Sequence, residues 1–310
     1  MSADALPQLT DVDFYLTDGG LETTLVFLQG IDLPDFAAFP QLESADGRAA
    51  LRSYYMPYLD LAERVDTGFV LDTPTWRANR DWGERLGYDE NALGEVNRRA
   101  VEYIVGLTKA RRSLKPVLDG VVGPRGDGYV VSDPMKSEEA AEYHSLQARA
   151  FAAAGAQMMT AVTMTYAAEA IGVVDAATAA GLPVVVSFTV ETDGRLPSGQ
   201  NLAEAIAEVD GATAGAAAYF MVNCAHPTHF TGVLEAGGSW LERVKGVRAN
   251  ASTMSHAELD EAEELDRGDV PGLSRHYREL RQILPDMRVV GGCCGTDDSH
   301  ITAIAEELRQ

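Results

Sequence analysis

This chain of 310 residues has three cysteines, at positions 224, 293 and 294. Cys224 closes the apolar run AYFMVNC (218–224), and the vicinal pair closes MRVVGGCC (287–294). Thiols at the carboxyl ends of two strands converge when those strands share one barrel mouth. Three sulfur donors with a fourth position open suit zinc, whose catalytic sites take three protein ligands and one exchangeable ligand. A thiol entering that position would lose its proton. The gain is a nucleophile that a free thiol, with a pKa of about 8.5, hardly offers at neutral pH. Other uses of these residues stay open. A Cys293–Cys294 redox pair would leave Cys224 unexplained, an iron–sulfur cluster commonly takes four cysteines, and Cys224 alone could be a small buried hydrophobe. Gly291, Gly292 and Gly295 flank the pair and would let the backbone turn tightly enough for both side chains to reach one ion. His226 and His229 follow Cys224 closely, but in the loop opening after that strand they are expected to meet polar neighbours or substrate rather than metal.

Elements must exist to position these residues. Short apolar runs recur along the chain at 14–18, 68–73, 116–123, 157–163, 183–190, 218–224, 243–250 and 287–294. Continuous apolar runs of this length suit strands covered on both faces. Helical periodicity fills the gaps at 47–65, 90–112, 137–155, 167–181 and 201–215, with Ser137 read as an N-cap and glycine as the usual stop. Eight strands alternating with helices predict an α/β fold, a single (β/α)8 TIM barrel over 1–310, in preference to an open doubly wound sheet. The stretch 251–285 exceeds a simple crossover and is expected to hold an extra acidic loop. Reading the strand ends gives Asp18, Gly19 and Gly20, then Thr163, Glu191 and Asn223, as candidate substrate contacts beside the cysteines, with Glu22 one turn further on.

Charge narrows the partners. The formal net charge is −22, which disfavours nucleic acid and anionic membrane surfaces and is compatible with a cationic small molecule. A solvated acidic surface accounts for the charge equally simply. No apolar run approaches the roughly 20 residues of a membrane helix, and the start MSADALPQLTDVDFYL shows no basic-then-apolar leader. A cytoplasmic enzyme acting on small molecules is the expectation, and a homo-oligomer is compatible with it.

DGGLETTL (18–25), VNCAHP (222–227) and GGCCGT (291–296) together resemble the zinc-dependent homocysteine S-methyltransferase family, in order and spacing, across nearly the whole chain. DTPTWRANRDWGERLGY (72–88) and SFTVETDGRLPSG (187–199) look like family segments too. The resemblance implies a (β/α)8 barrel, Zn2+ on Cys224, Cys293 and Cys294, and transfer of a methyl group from a sulfonium or ammonium donor to the thiolate of homocysteine. Asp18 matches the acid that helps hold the amino group of homocysteine, and Asn223 the position preceding the first zinc ligand. One departure stands out. Where relatives carry a Glu at the end of strand four, this chain has Val162, and its first motif reads Glu22-Thr23-Thr24. Either Glu191 or Glu22 compensates, or the acceptor is a different thiol. The length of the chain favours S-methylmethionine or S-adenosylmethionine as donor over betaine, folate or cobalamin. Trp76, Trp82, Tyr54 and Tyr55 could cage a cationic donor, or pack helices and loops. Arg125 could take a carboxylate, or sit in a surface salt bridge. Two further readings remain: a zinc-dependent demethylase or lyase acting on a methylated sulfur or amine compound, and a non-catalytic zinc–thiolate barrel that stores or senses thiols.

Overall fold

The computed structural model describes residues 6–310, so the first five residues of the expected domain lie outside the described residues. Eight parallel strands close into a barrel in sequence order: β1 Tyr15–Leu16, β2 Gly68–Asp72, β3 Lys115–Val122, β4 Met158–Met164, β5 Val184–Phe188, β6 Ala217–Asn223, β7 Val244–Ala249 and β8 Val289–Gly292. Closure rests on two register pairs, Tyr15 with Val289 and Leu16 with Val290.

Alternation along each strand explains why these runs are apolar throughout. Tyr15, Val70, Val117, Met158, Val185, Tyr219 and Val289 form one cluster inside the barrel. Their chain neighbours Leu16, Phe69, Leu71, Met159, Val184, Val186, Phe220 and Val290 join a second cluster against the helices. Successive side chains point to opposite faces, so both sets are buried and no solvent-facing register remains. The amino-terminal end of the barrel is stoppered by a turn at Pro7–Leu9. From it the fully buried Gln8 donates through Nε2 to Tyr219 Oη at 3.2 Å and Met158 Sδ at 3.0 Å.

The helices are α1 Leu21–Thr23, α2 Ala45–Arg64, α3 Arg80–Arg85, α4 Glu90–Thr108, α5 Ser137–Ala154, α6 Ala167–Ala179, α7 Leu202–Thr213, α8 Pro227–Glu235, α9 His256–Asp260, α10 Val270–Ile283 and α11 Asp298–Leu308. Among the described residues, none is long and apolar enough to cross a membrane. Two termini differ from expectation. Ser137 is the first helical residue, not the cap, and Lys136 before it makes no side-chain capping bond. Helix α7 ends on Ala214, which takes the left-handed conformation (φ 52°) ahead of Gly215. The expected acidic insertion after β7 folds as α9, started by a Ser255–Glu258 capping box, followed by a loop to α10. Its residues overhang the carboxyl-end mouth of the barrel.

Candidate active site

The three sulfurs lie within 4.8 Å of one another. Each stands just past a strand: Cys224 after β6, Cys293 and Cys294 after β8. Cys224 is buried, with φ 54°, a conformation uncommon outside glycine. Neighbouring groups hold it there: its N–H donates to Arg248 O (3.0 Å) and its carbonyl lies 2.7 Å from His256 Nε2. Thr163, after a bulge in β4, shares this conformation (φ 54°), and its N–H donates to Asn223 Oδ1 at 2.9 Å. The glycines of β8 answer to close packing rather than turning. A Cβ on Gly292 would strike the Thr296 side chain, and one on Gly291 would strike Thr17. Only Gly295 of the three has positive φ (76°).

Polar groups converge on the sulfurs. Tyr129 Oη is 2.9 Å from Cys224 Sγ and 3.7 Å from Cys294 Sγ. The side-chain amides of Asn250 and Asn223 donate at 3.9 Å to Cys224 and Cys293. The Tyr129 ring packs on that of His256, centroids 4.1 Å apart. Hydrogen bonds from the Cys224 and Cys294 thiols hold Cys293 well below an ordinary thiol pKa, while the same sharing pushes Cys294 up. Burial pushes the Tyr129 phenol far above 10, so it stays a neutral donor. The donor set fits zinc. Sulfurs bound at about 2.3 Å to one ion stand at most about 4.6 Å apart, so little movement gathers these three.

A cavity of about 430 Å³ opens beside the thiols. Its floor carries an ion-pair network inside the barrel. Arg248 of β7 pairs with Asp18 Oδ1 at 2.6 Å and with Asp72, and its Nε reaches Gly292 O at 3.4 Å. Burial raises Asp18 to about 8 in spite of the guanidinium. Asp119 is pushed well up by burial and by the neighbouring Asp72 carboxylate. Glu22 in the cavity wall is raised by burial to about 7.

Of the residues singled out from sequence, Asp18, Gly19, Gly20, Glu22, Thr163, Asn223, Cys293 and Cys294 line this one cavity, as does Val162. Glu191 does not. It lies 3.2 Å from His256 Nδ1, behind the wall. The aromatic cage is not formed. Tyr54 and Tyr55 donate to Gly19 O and Asp72 O, the Trp76 indole donates to Thr163 Oγ1, and Arg77 lies over both Trp76 and Trp82. Arg125 is held by Asp81 and Glu139 on the surface. His226 caps α8 and His229 bonds to Thr253 O. Neither joins the cysteine cluster.

Sequence reasoning missed Tyr129, His256, Asn250 and Arg248. Arg248 left a usable signal: a cation inside RVKGVRAN, within an otherwise buried strand. Tyr129 left almost none, being one aromatic in a polar loop.

Fold and site together define a class: a (β/α)8 barrel with a three-thiol centre where its strands end. The homocysteine S-methyltransferase family profile matches residues 15–308. The chain belongs to that family, and it is a methyltransferase. The homocysteine methyltransferase MmuM of Escherichia coli has the same fold. Its oxidized form superposes with a TM-score of 0.77 at 20% identity, covering 97% of this chain and 98% of that one. Its metallated form gives 0.74 at 20% identity with the same coverage, and its apo form 0.66 at 19%, covering 96% and 97%. No curated protein matches the sequence.

Proposed function

We propose that this protein is a zinc-dependent S-methyltransferase that moves a methyl group from a sulfonium donor, S-methylmethionine or S-adenosylmethionine, to the thiolate of homocysteine or a related thiol. The observation that carries the reading is the meeting of three sulfurs within 4.8 Å, two of them, on Cys293 and Cys294, in the wall of a cavity and the third, on Cys224, buried behind it. Cys224, Cys293 and Cys294 would hold the zinc ion, which when bound supplies an acceptor thiolate at neutral pH.

The chain's own groups do the remaining work. Asn223 ties β4, β5 and β6 together by accepting from Thr163 N–H and from Ser187 Oγ (2.7 Å). It thereby fixes the strand ends that carry the thiols. Tyr129 covers the cavity side of Cys224 and must yield when the acceptor sulfur enters. Glu22 offers negative charge to the cationic donor. Phe27, Phe36, Leu259 and Leu265 line the outer cavity and exclude water. In the displacement, the acceptor sulfur forms the new S–CH3 bond as the donor's S–CH3 bond breaks. The bonding pair returns to the donor sulfur, which leaves as a neutral thioether. Holding both partners in line supplies much of the rate. Small-molecule partners and a reducing, cytoplasmic setting belong to this proposal.

The test supplies zinc-loaded protein with homocysteine or a thiol relative and each sulfonium donor, and reads S-methyl product by mass spectrometry. Product that disappears in Cys294→Ser together with the zinc supports the reading. Full zinc without product from any donor and thiol overturns it and favours a thiol-binding barrel.

A further inference from the structure

Asp18 shares the cavity wall with Cys293 and Cys294, yet the chain itself already supplies a cation to its carboxyl group. Arg248 reaches across the barrel from β7 and pairs with Asp18 at 2.6 Å and with Asp72. The three side chains are 10%, 4% and 7% exposed, so the pairing is shielded from water. Arg248 also donates to the carbonyl of Gly292, next to Cys293, so the guanidinium is fixed with respect to the sulfurs. On the β4 side the cavity wall presents Val162, which can pair with no cation. Glu191 bonds to His256 and lies outside the lining.

An ammonium group entering here would approach a guanidinium of like charge. It would have to share the Asp18 carboxylate with Arg248, whose guanidinium already holds Oδ1 at 2.6 Å, and so sit in a shielded like-charge contact. A thiol without that group meets no such conflict.

We propose that Arg248 is a specificity-determining residue: its guanidinium fills the ammonium subsite beside the three sulfurs, so the acceptor is a thiol carrying no α-ammonium group. The proposal rests on the thiol-methylation reading above and narrows its acceptor. Glu22 is a further carboxylate of the cavity wall, and the test covers it.

Isothermal titration of the zinc-loaded protein with L-homocysteine and with 4-mercaptobutanoate isolates the effect, because the two differ only in the ammonium group. The expected Kd for 4-mercaptobutanoate is lower by about tenfold or more, the scale of a like-charge contact. Equal or tighter homocysteine binding overturns the proposal, as does homocysteine binding that weakens selectively in Glu22→Gln. Asp18→Asn keeps the side-chain shape and is expected to leave the ratio of the two constants within about threefold. A selective loss of homocysteine binding in that variant would mean that Asp18 receives the ammonium, and would refute the assignment. Arg248→Met releases Asp18 and is expected to shift the ratio toward homocysteine by about tenfold. An unchanged ratio in the folded variant removes Arg248 from the role. The unaltered protein and Asp18→Asn decide the question without that variant. If neither thiol binds, the thiol-methylation reading falls and this inference with it, whereas tight homocysteine binding sinks the inference alone.

Discussion

Tyr129 reaches the sulfurs from the loop after β3, and its hydroxyl lies in the cavity wall 2.9 Å from Cys224 Sγ, where on the proposed reading an acceptor enters. Removing one hydrogen bond of this kind changes an equilibrium by about 0.5–1.5 kcal/mol. Tyr129→Phe should therefore lower KM for the thiol by about two- to tenfold while the zinc content holds. A raised KM would show instead that the phenol helps hold the acceptor. Glu22 supplies a second expectation. Burial raises its carboxyl to about 7, and only the ionised form attracts a cationic donor, so kcat/KM should climb as pH rises through 7. Glu22→Gln should flatten that climb. The same shift has the opposite sign for stability. A carboxyl whose folded pKa is raised favours the fold below its unfolded pKa, and that contribution is lost as pH rises through the folded value. Glu22→Gln should accordingly raise Tm at pH 8 and leave it nearly unchanged at pH 4. These residues differ in how far sequence could find them. The cysteines declare themselves by type and position. Arg248 meets Asp18 and Asp72, and Tyr129 meets Cys224, across more than 90 positions, and no local pattern encodes such a meeting.

The elements were more legible, because period-2 burial inside a barrel turns each strand into a continuous apolar run. Ends were less so. Asp18 and Cys224 lie just beyond strands whose last residues are set by register with neighbours, and register is a property of pairs of strands. Helix α11 shows how an element end serves the site. It begins at Asp298, four residues after Cys294, and the preceding Asp297 accepts from Ser299 N–H at 3.1 Å and forms a capping box with His300. Bonds from His300 and Ser299 outweigh burial and hold the Asp297 carboxyl far below its ordinary 3.8. A depressed folded pKa means stability present above the unfolded value and lost as pH falls toward the folded one. Asp297→Ala should cost about 0.5–2 kcal/mol near neutral pH, measured by urea unfolding. The cost should shrink as pH drops below 3.8. A cost that is flat with pH would assign the effect to packing rather than to the charged cap.

Across the whole molecule, the thiols join β6 to β8 over the intervening β7, so a bound ion would clamp the last three strands of the barrel. A ligand that binds the folded state alone stabilises it by mass action. Chelation should lower the Tm of the metal-loaded protein, and Cys294→Ser should show no such response. A matching fall in that variant would place the metal elsewhere. The excess of negative charge, −22 in all, was read from composition alone, but the Arg248 network buried within it was not, because net charge says nothing about where a cation lies. The closure of β8 onto β1 bears on how the protein is made. Cys293 and Cys294 are made after all eight strands of the barrel, and Asp18 after only the first. A chain interrupted before Gly292 carries at most one of the three thiols and an unclosed sheet. Such copies are thereby left without the three-thiol centre, which forms only once the last strand of the barrel has been made.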